Sequence, residues 1–126
     1  MRSTMVVVLG LCAGLAGASA ADEAAGFAFK DEAGQYLDVL CGGKIVGRYM
    51  YAYDKARLKQ TYKTFLHVFD AEGKAPITNG TDGKNFPHHR GIFIGWNKIS
   101  FGGKSYDRWH MAGGEQIHQK FGEQNA

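Results

Sequence analysis

Five histidines stand in this 126-residue chain, His67, His88, His89, His110 and His118, four of them in its last third. Near neutral pH an imidazole serves as base, acid or metal ligand. The tightest group is Phe86-Pro87-His88-His89-Arg90-Gly91. Pro87 stiffens the exit from a polar loop, and Gly91 admits a close approach to the backbone. His88, His89 and Arg90 are therefore the candidate catalytic residues. The second dense group is Asp107-Arg108-Trp109-His110. Carboxylate and guanidinium groups bond hydroxyls while an indole packs on the C–H face of a sugar, so this combination suits carbohydrate recognition. Asp107, Arg108, Trp109, His110 and His118 are the candidate ligand-binding residues. A plainer reading stands beside it, a salt-linked strand with a core Trp and structural histidines.

The histidine spacing matches no strong metal signature, with neither an HExxH nor a Cys-x-x-Cys pattern. A metal set would have to draw His88, His89, His110 and His118 from neighbouring strands. Histidines that hydrogen-bond in a polar cleft without a metal are the favoured reading, and the cofactor stays undetermined. A Glu115–Asp107 carboxylate pair is a weaker acid–base arrangement. The sequence has no G-x-S-x-G elbow, phosphate loop or dinucleotide fingerprint.

Short strands joined by glycine turns must position these residues. Gly is abundant, Pro is scarce and aromatic residues make up 13% of the chain, a mix that favours strands over helices. Phe27–Phe29 begins a strand, and Gln35–Cys41 alternates as a second. Gly42-Gly43 suits a primed hairpin turn, and Lys44–Tyr53 returns as a long strand. That strand puts Tyr49, Tyr51 and Tyr53 on one face, either cross-strand packing or a stacking platform for a sugar. Asp54–Tyr62 is a helical turn or a loop. Thr64–Asp70 and Pro76–Thr78 are further strands, and 79–85 is a loop.

His89–Asn97 reads as a strong strand. Its His89 face carries Gly91, Phe93, Gly95 and Asn97, like a cleft floor. Its other face, Arg90, Ile92, Ile94 and Trp96, looks like core apart from Arg90. If His88 still lies in the loop, both histidines can converge. Ile99–Phe101 and Lys104–His110 flank a second Gly-Gly turn, and Glu115–Phe121 is a last extended stretch. These elements predict an all-β, antiparallel β-sandwich. Its last strand would end near the C-terminus with an open edge, so the sandwich is expected to be incomplete there.

Residues 1–20 read as a secretory signal peptide: Met1-Arg2, an apolar run from Met5 to about Gly17, then Ala18-Ser19-Ala20. Cleavage near Ala20 leaves 21–126 as the mature domain in the periplasm or outside the cell. A start at Ala21 excludes a copper brace built on an N-terminal histidine. The apolar run is shorter than the roughly 20 residues of a spanning helix, so no stable membrane span is expected. Cys12 leaves with the leader, and Cys41 remains alone, without an intrachain disulfide partner. It reads as a small buried hydrophobe. The formal net charge is +3, and the basic residues are scattered, so nucleic acid is not the expected partner. Oligomeric state is left open.

At FLHVFDAEGKAPIT (65–78) and FPHHRGIFIGWNKISFGGKSYDRWHM (86–111) the chain resembles the bacterial family catalogued as methane oxygenase PmoA. The resemblance spans about Tyr36 to Phe121, with Pro-His-His-Arg-Gly its most specific part. It implies an exported protein of carbohydrate-degradation gene neighbourhoods, similar in outline to galactose-mutarotase-like supersandwiches, of which this chain would be an N-terminal portion. It implies that His88, His89 and Arg90 line a concave sheet. The membrane methane monooxygenase subunits of that name span the bilayer several times, which this sequence does not support.

The expectation is therefore an exported β-sandwich protein that binds or processes a carbohydrate or related small molecule. In a mutarotase-type reaction a histidine is the general acid and a carboxylate the base. The alternatives are a metal-dependent oxidoreductase using the four histidines, and a non-catalytic structural module.

Overall fold

A computed structural model describes residues 26–82, 86–111 and 113–123. The leader reading, with Cys12, lies outside the described residues, as does 83–85 of the polar loop.

The fold is all-β and antiparallel, with two sheets in a sandwich-like arrangement. β1 (Phe27–Glu32), β2 (Tyr36–Cys41), β3 (Lys44–Met50) and β4 (Phe65–Val68) form one sheet in the order β1-β2-β3-β4. β5 (Ile99–Phe101) and β6 (Lys104–Tyr106) form a second, two-stranded sheet. Both Gly-Gly links close two-residue hairpins. Gly42 and Gly43 have φ of 55° and 73°, and Gly102 and Gly103 have φ of 57° and 72°. A primed turn requires these left-handed values, and a Cβ would oppose them. Where β2 meets β3 the register shifts at Val39/Leu40, leaving Val46 as the extra residue of a bulge.

Among the described residues there is one helical segment, capped by Asp54. Its carboxylate accepts from Ala56 N at 2.8 Å and from Arg57 Nε at 2.8 Å. A 3-10 turn (Lys55–Arg57) then leads into α1 (Leu58–Thr61). This is the helical turn allowed for at 54–62.

The small core holds Leu37, Tyr51, Phe65 and Met111. Opposite registers in β2 and β3 bring Asp38 against Arg48, which donates to it from Nε at 2.6 Å and from Nη2 at 2.9 Å. The Arg48 guanidinium also sits 3.8 Å from the Tyr36 ring centroid, so its apolar plane is covered as well as its charge. Tyr51 lies just past β3. Its hydroxyl donates to Asp31 at 2.5 Å and accepts from Gly34 N at 3.0 Å. Tyr49 and Tyr51 are packed by the rings of His118 and Phe121.

Several sequence expectations are corrected. His89–Asn97 is not a strand. It makes one bridge, Leu66 to Ile92, with bonds of 2.8 Å in each direction. Two close approaches stop the ladder. Gly91 has φ 39°, and a Cβ there would come 2.2 Å from Leu66 O. A Cβ at Gly95 would come 2.3 Å from Arg108 O. Trp96 O is already engaged by the N–H groups of Arg108 and Trp109. The face expected to be core is instead open, with Ile92 58%, Ile94 72% and Trp96 62% exposed.

Lys104–His110 stops being a strand at Tyr106, Lys44–Tyr53 stops at Met50, and Glu115–Phe121 pairs with no strand. Pro76–Thr78 contributes a single bridge, Pro76 to Phe69. Cys41 is exposed rather than buried, because it ends β2 at the hairpin turn. Among the described residues no helix is long and apolar enough to cross a membrane.

Candidate functional site

The chain leaves β6 at Tyr106 and turns on Asp107. One carboxylate oxygen accepts from Trp109 N at 3.0 Å and from His110 N at 2.8 Å. The other accepts from His110 Nδ1 at 2.8 Å. An ionised carboxylate only accepts, so the imidazole proton is on Nδ1 and Nε2 is free to act as a base. The His110 and Trp109 N–H groups and the His110 ring hold the Asp107 carboxyl below its usual range. A turn that satisfies its own backbone therefore also orients a histidine, in the manner of a catalytic Asp–His pair.

His88 faces that histidine, with ring centroids 4.7 Å apart. His88 and His89 are 4.3 Å apart and edge to face. They converge because the segment is a loop rather than an alternating strand. Phe86 stacks on His89 at 5.0 Å and 17°. Burial lowers the His88 pKa, reinforced by His89, His110 and Lys63 and opposed by Asp107. His88 is thus held toward its neutral form beside a histidine that Asp107 orients, which sets two imidazoles suited to general acid–base chemistry next to each other.

Trp109 is 37% exposed. Its ring lies 5.6 Å from His89 and 5.2 Å from Phe93. It separates two open depressions. One, of about 450 Å³, is lined by Thr78, Asn79, His89 and Phe93. The other, of about 580 Å³, is lined by Trp96, Asn97 and His110.

Lys63 supports this arrangement from beneath. It is 2% exposed, donates from Nζ to Trp109 O at 3.1 Å, and sits 3.4 Å from the Phe93 ring centroid. Burial and the Arg90 charge lower its pKa to about 8, against the pull of Asp107. Sequence reasoning missed Lys63. Its burial follows from its place between Thr61 at the end of α1 and Phe65 at the start of β4, both buried, which no local pattern marks. Phe86 was also missed as a ring contact.

Two candidate residues are placed elsewhere. Arg90 is 0% exposed and donates to the carbonyls of Pro87 (2.7 Å), Gln60 (2.7 Å) and Lys59. It also covers the Tyr62 ring at 4.3 Å. Its guanidinium satisfies the end of α1 and does not line a cleft, which corrects its assignment beside the histidines. His118 packs on Tyr51 at 4.8 Å and on Phe121 at 4.3 Å, so the four-histidine set is not assembled. Its packing also covers the tyrosine row considered as a sugar platform. Among the described residues, no group of three His, Cys, Asp or Glu side chains is disposed to hold a metal ion. Arg108 is half-buried, 4.9 Å from the Tyr106 ring, and its buried Nη1 meets no hydrogen-bond partner among the described residues.

Residues 36–126 match DUF6807, described as a family of unknown function, and the chain belongs to that family. No curated protein and no solved structure matches the chain.

Proposed function

Membership of a family of unknown function assigns no activity, so we propose one from the site itself: an exported protein that binds a carbohydrate on Trp109 and acts on it through the Asp107–His110 pair and His88. The observation that carries this reading is the half-exposed indole between two depressions, with His89 on one side and His110 on the other. An indole packs on the C–H face of a pyranose while imidazole and amide groups bond its hydroxyls. General acid–base chemistry by His110 and His88 suits ring opening or another reaction at a sugar's anomeric oxygen. Export rests on the leader-like residues 1–20. The resemblance of 65–78 and 86–111 to exported, carbohydrate-associated bacterial proteins supports the same reading by analogy.

The test is a titration with glucose, galactose, mannose and their uronic acids, followed by tryptophan fluorescence and calorimetry. Binding that Trp109→Ala abolishes while the circular dichroism spectrum is unchanged is the expected result. Equal binding by Trp109→Ala would refute the site.

A further inference from the structure

The charges around Trp109 differ in kind from those a neutral sugar needs. His88 packs on His89 and His110, with ring centroids 4.3 Å and 4.7 Å away, and the charges of Lys63 and Asp107 also act on it. Three of these are basic, and the charge of buried Arg90 acts on Lys63. Asp107 is the one acid among them, and both its oxygens are occupied by Trp109 N, His110 N and His110 Nδ1. No carboxylate lines either depression among the described residues. Asp82 opens on a neighbouring depression beside His67.

Neutral hydroxyls are both donors and acceptors, and tight recognition of them uses both kinds of partner. A carboxylate or sulfate on the ligand needs donors alone, and ionised acceptors form the stronger bonds. The His88 and His89 imidazoles offer such donors beside each other, and the neighbouring acid, Asp107, is already engaged. Resting on the carbohydrate reading, we infer that the ligand is an anionic sugar, its ring on Trp109 and its carboxylate or sulfate against His89 and the adjoining His88.

The burial and basic neighbours that disfavour protonated His88 in the free protein give way when an anion arrives. Ligand binding should then be accompanied by proton uptake at His88. Affinity for the charged sugar should rise as pH falls from about 8 to about 5.5.

The experiment uses the purified chain with three sets of probes: hexoses, their uronic acids and 6-sulfates, and free acetate and sulfate. Calorimetry is run at both pH values in two buffers of different ionisation enthalpy. Tighter binding of a uronic acid or a sulfated hexose than of its neutral parent, by about tenfold at the lower pH, is expected. That advantage should disappear in His88→Gln/His89→Gln. The uronic acid and sulfate arms identify which anion is preferred. Neutral hexoses binding as tightly would overturn the anionic inference and leave the carbohydrate reading intact. Acetate or sulfate alone binding as tightly as the sugars would also overturn it. No binding by any sugar would overturn both readings.

Discussion

Lys63 donates to the carbonyl oxygen of Trp109 at 3.1 Å across 46 positions of sequence, and so ties the approach to β4 to the backbone of the site turn. The same ammonium lies on the Phe93 ring. Trp109 thus presents its indole from a backbone anchored on one side by a buried cation and on the other by Asp107.

That anchor gives a prediction about pH and stability. Burial, and secondarily Arg90, bring the Lys63 pKa from 10.5 to about 8. Between those values the unfolded chain holds a proton that the native protein has released, so stability rises with pH. Below about 8 both states are protonated, and the native state bears the full cost of the buried ammonium, about 3 kcal/mol for such a shift. The melting temperature of the wild type should therefore climb relative to Lys63→Met as pH is raised from 7.5 to 10 (about the window set by the two pKa values). Parallel curves for the two proteins would show that Lys63 does not titrate there.

Arg90 is expected to matter for folding rather than for chemistry. Its three bonded N–H groups face three main-chain carbonyls at the end of α1 and at Pro87. Removing the guanidinium takes a charged donor from each of those carbonyls and the cover from the Tyr62 ring, so Arg90→Met should cost about 3 kcal/mol in urea denaturation. Arg90→Lys should not rescue it, because an ammonium lacks the planar fork. His89→Gln, at an exposed position, should stay within about 0.5 kcal/mol of wild type. A stable Arg90→Met protein that had lost only ligand binding would return Arg90 to the site.

The contrast between Arg90 and His89 marks how far the sequence could be read. Turns at Gly42-Gly43 and Gly102-Gly103 were visible because left-handed φ is a local demand that glycine meets. The first four strands were visible because alternation and turn residues agree there. The strand expected at 89–97 failed because nothing local reveals that Gly91 is pressed on Leu66 O and Gly95 on Arg108 O. With no ladder, alternation lost its meaning, and Ile92, Ile94 and Trp96 came out exposed rather than buried. The histidines are conspicuous by type. Their division into a His88–His89–His110 group and a separate His118 depends on where the segment after Met111 crosses the Tyr49–Tyr51 face, which is a tertiary fact.

Gly91 offers a direct check on that account. A methyl group there meets a backbone oxygen at 2.2 Å and its carbon at 2.9 Å, and the φ of 39° is already unfavourable for an L-residue. Relief would require breaking the paired Leu66–Ile92 bonds. Gly91→Ala should destabilise by more than about 2 kcal/mol. Gly102→Ala shares a positive φ but meets open space, and should cost only about 1 kcal/mol. Equal losses at the two sites would mean that the close approach to Leu66 is not what constrains the loop.

Asp107 should separate binding from proton transfer. In Asp107→Asn the side-chain oxygen can still accept from Trp109 N and His110 N, so the turn persists. The amide now presents N–H to His110 Nδ1, which must accept rather than donate. The imidazole proton therefore moves to Nε2, and the free base at that atom is lost. Nitrogen chemical shifts should report the change of tautomer, with sugar binding retained and turnover reduced by about a hundredfold or more. Asp107→Ala, which also removes the turn acceptor, should lose both. The wild-type carboxyl is held low, chiefly by His110 N–H, so its contribution to stability is present above the unfolded pKa. It is lost as pH falls through the lower folded value, and this acid-side loss should be absent from Asp107→Asn. An unchanged tautomer with unchanged turnover in that variant would leave Asp107 a turn-former only, with His110 free of any role in catalysis that depends on its carboxylate partner.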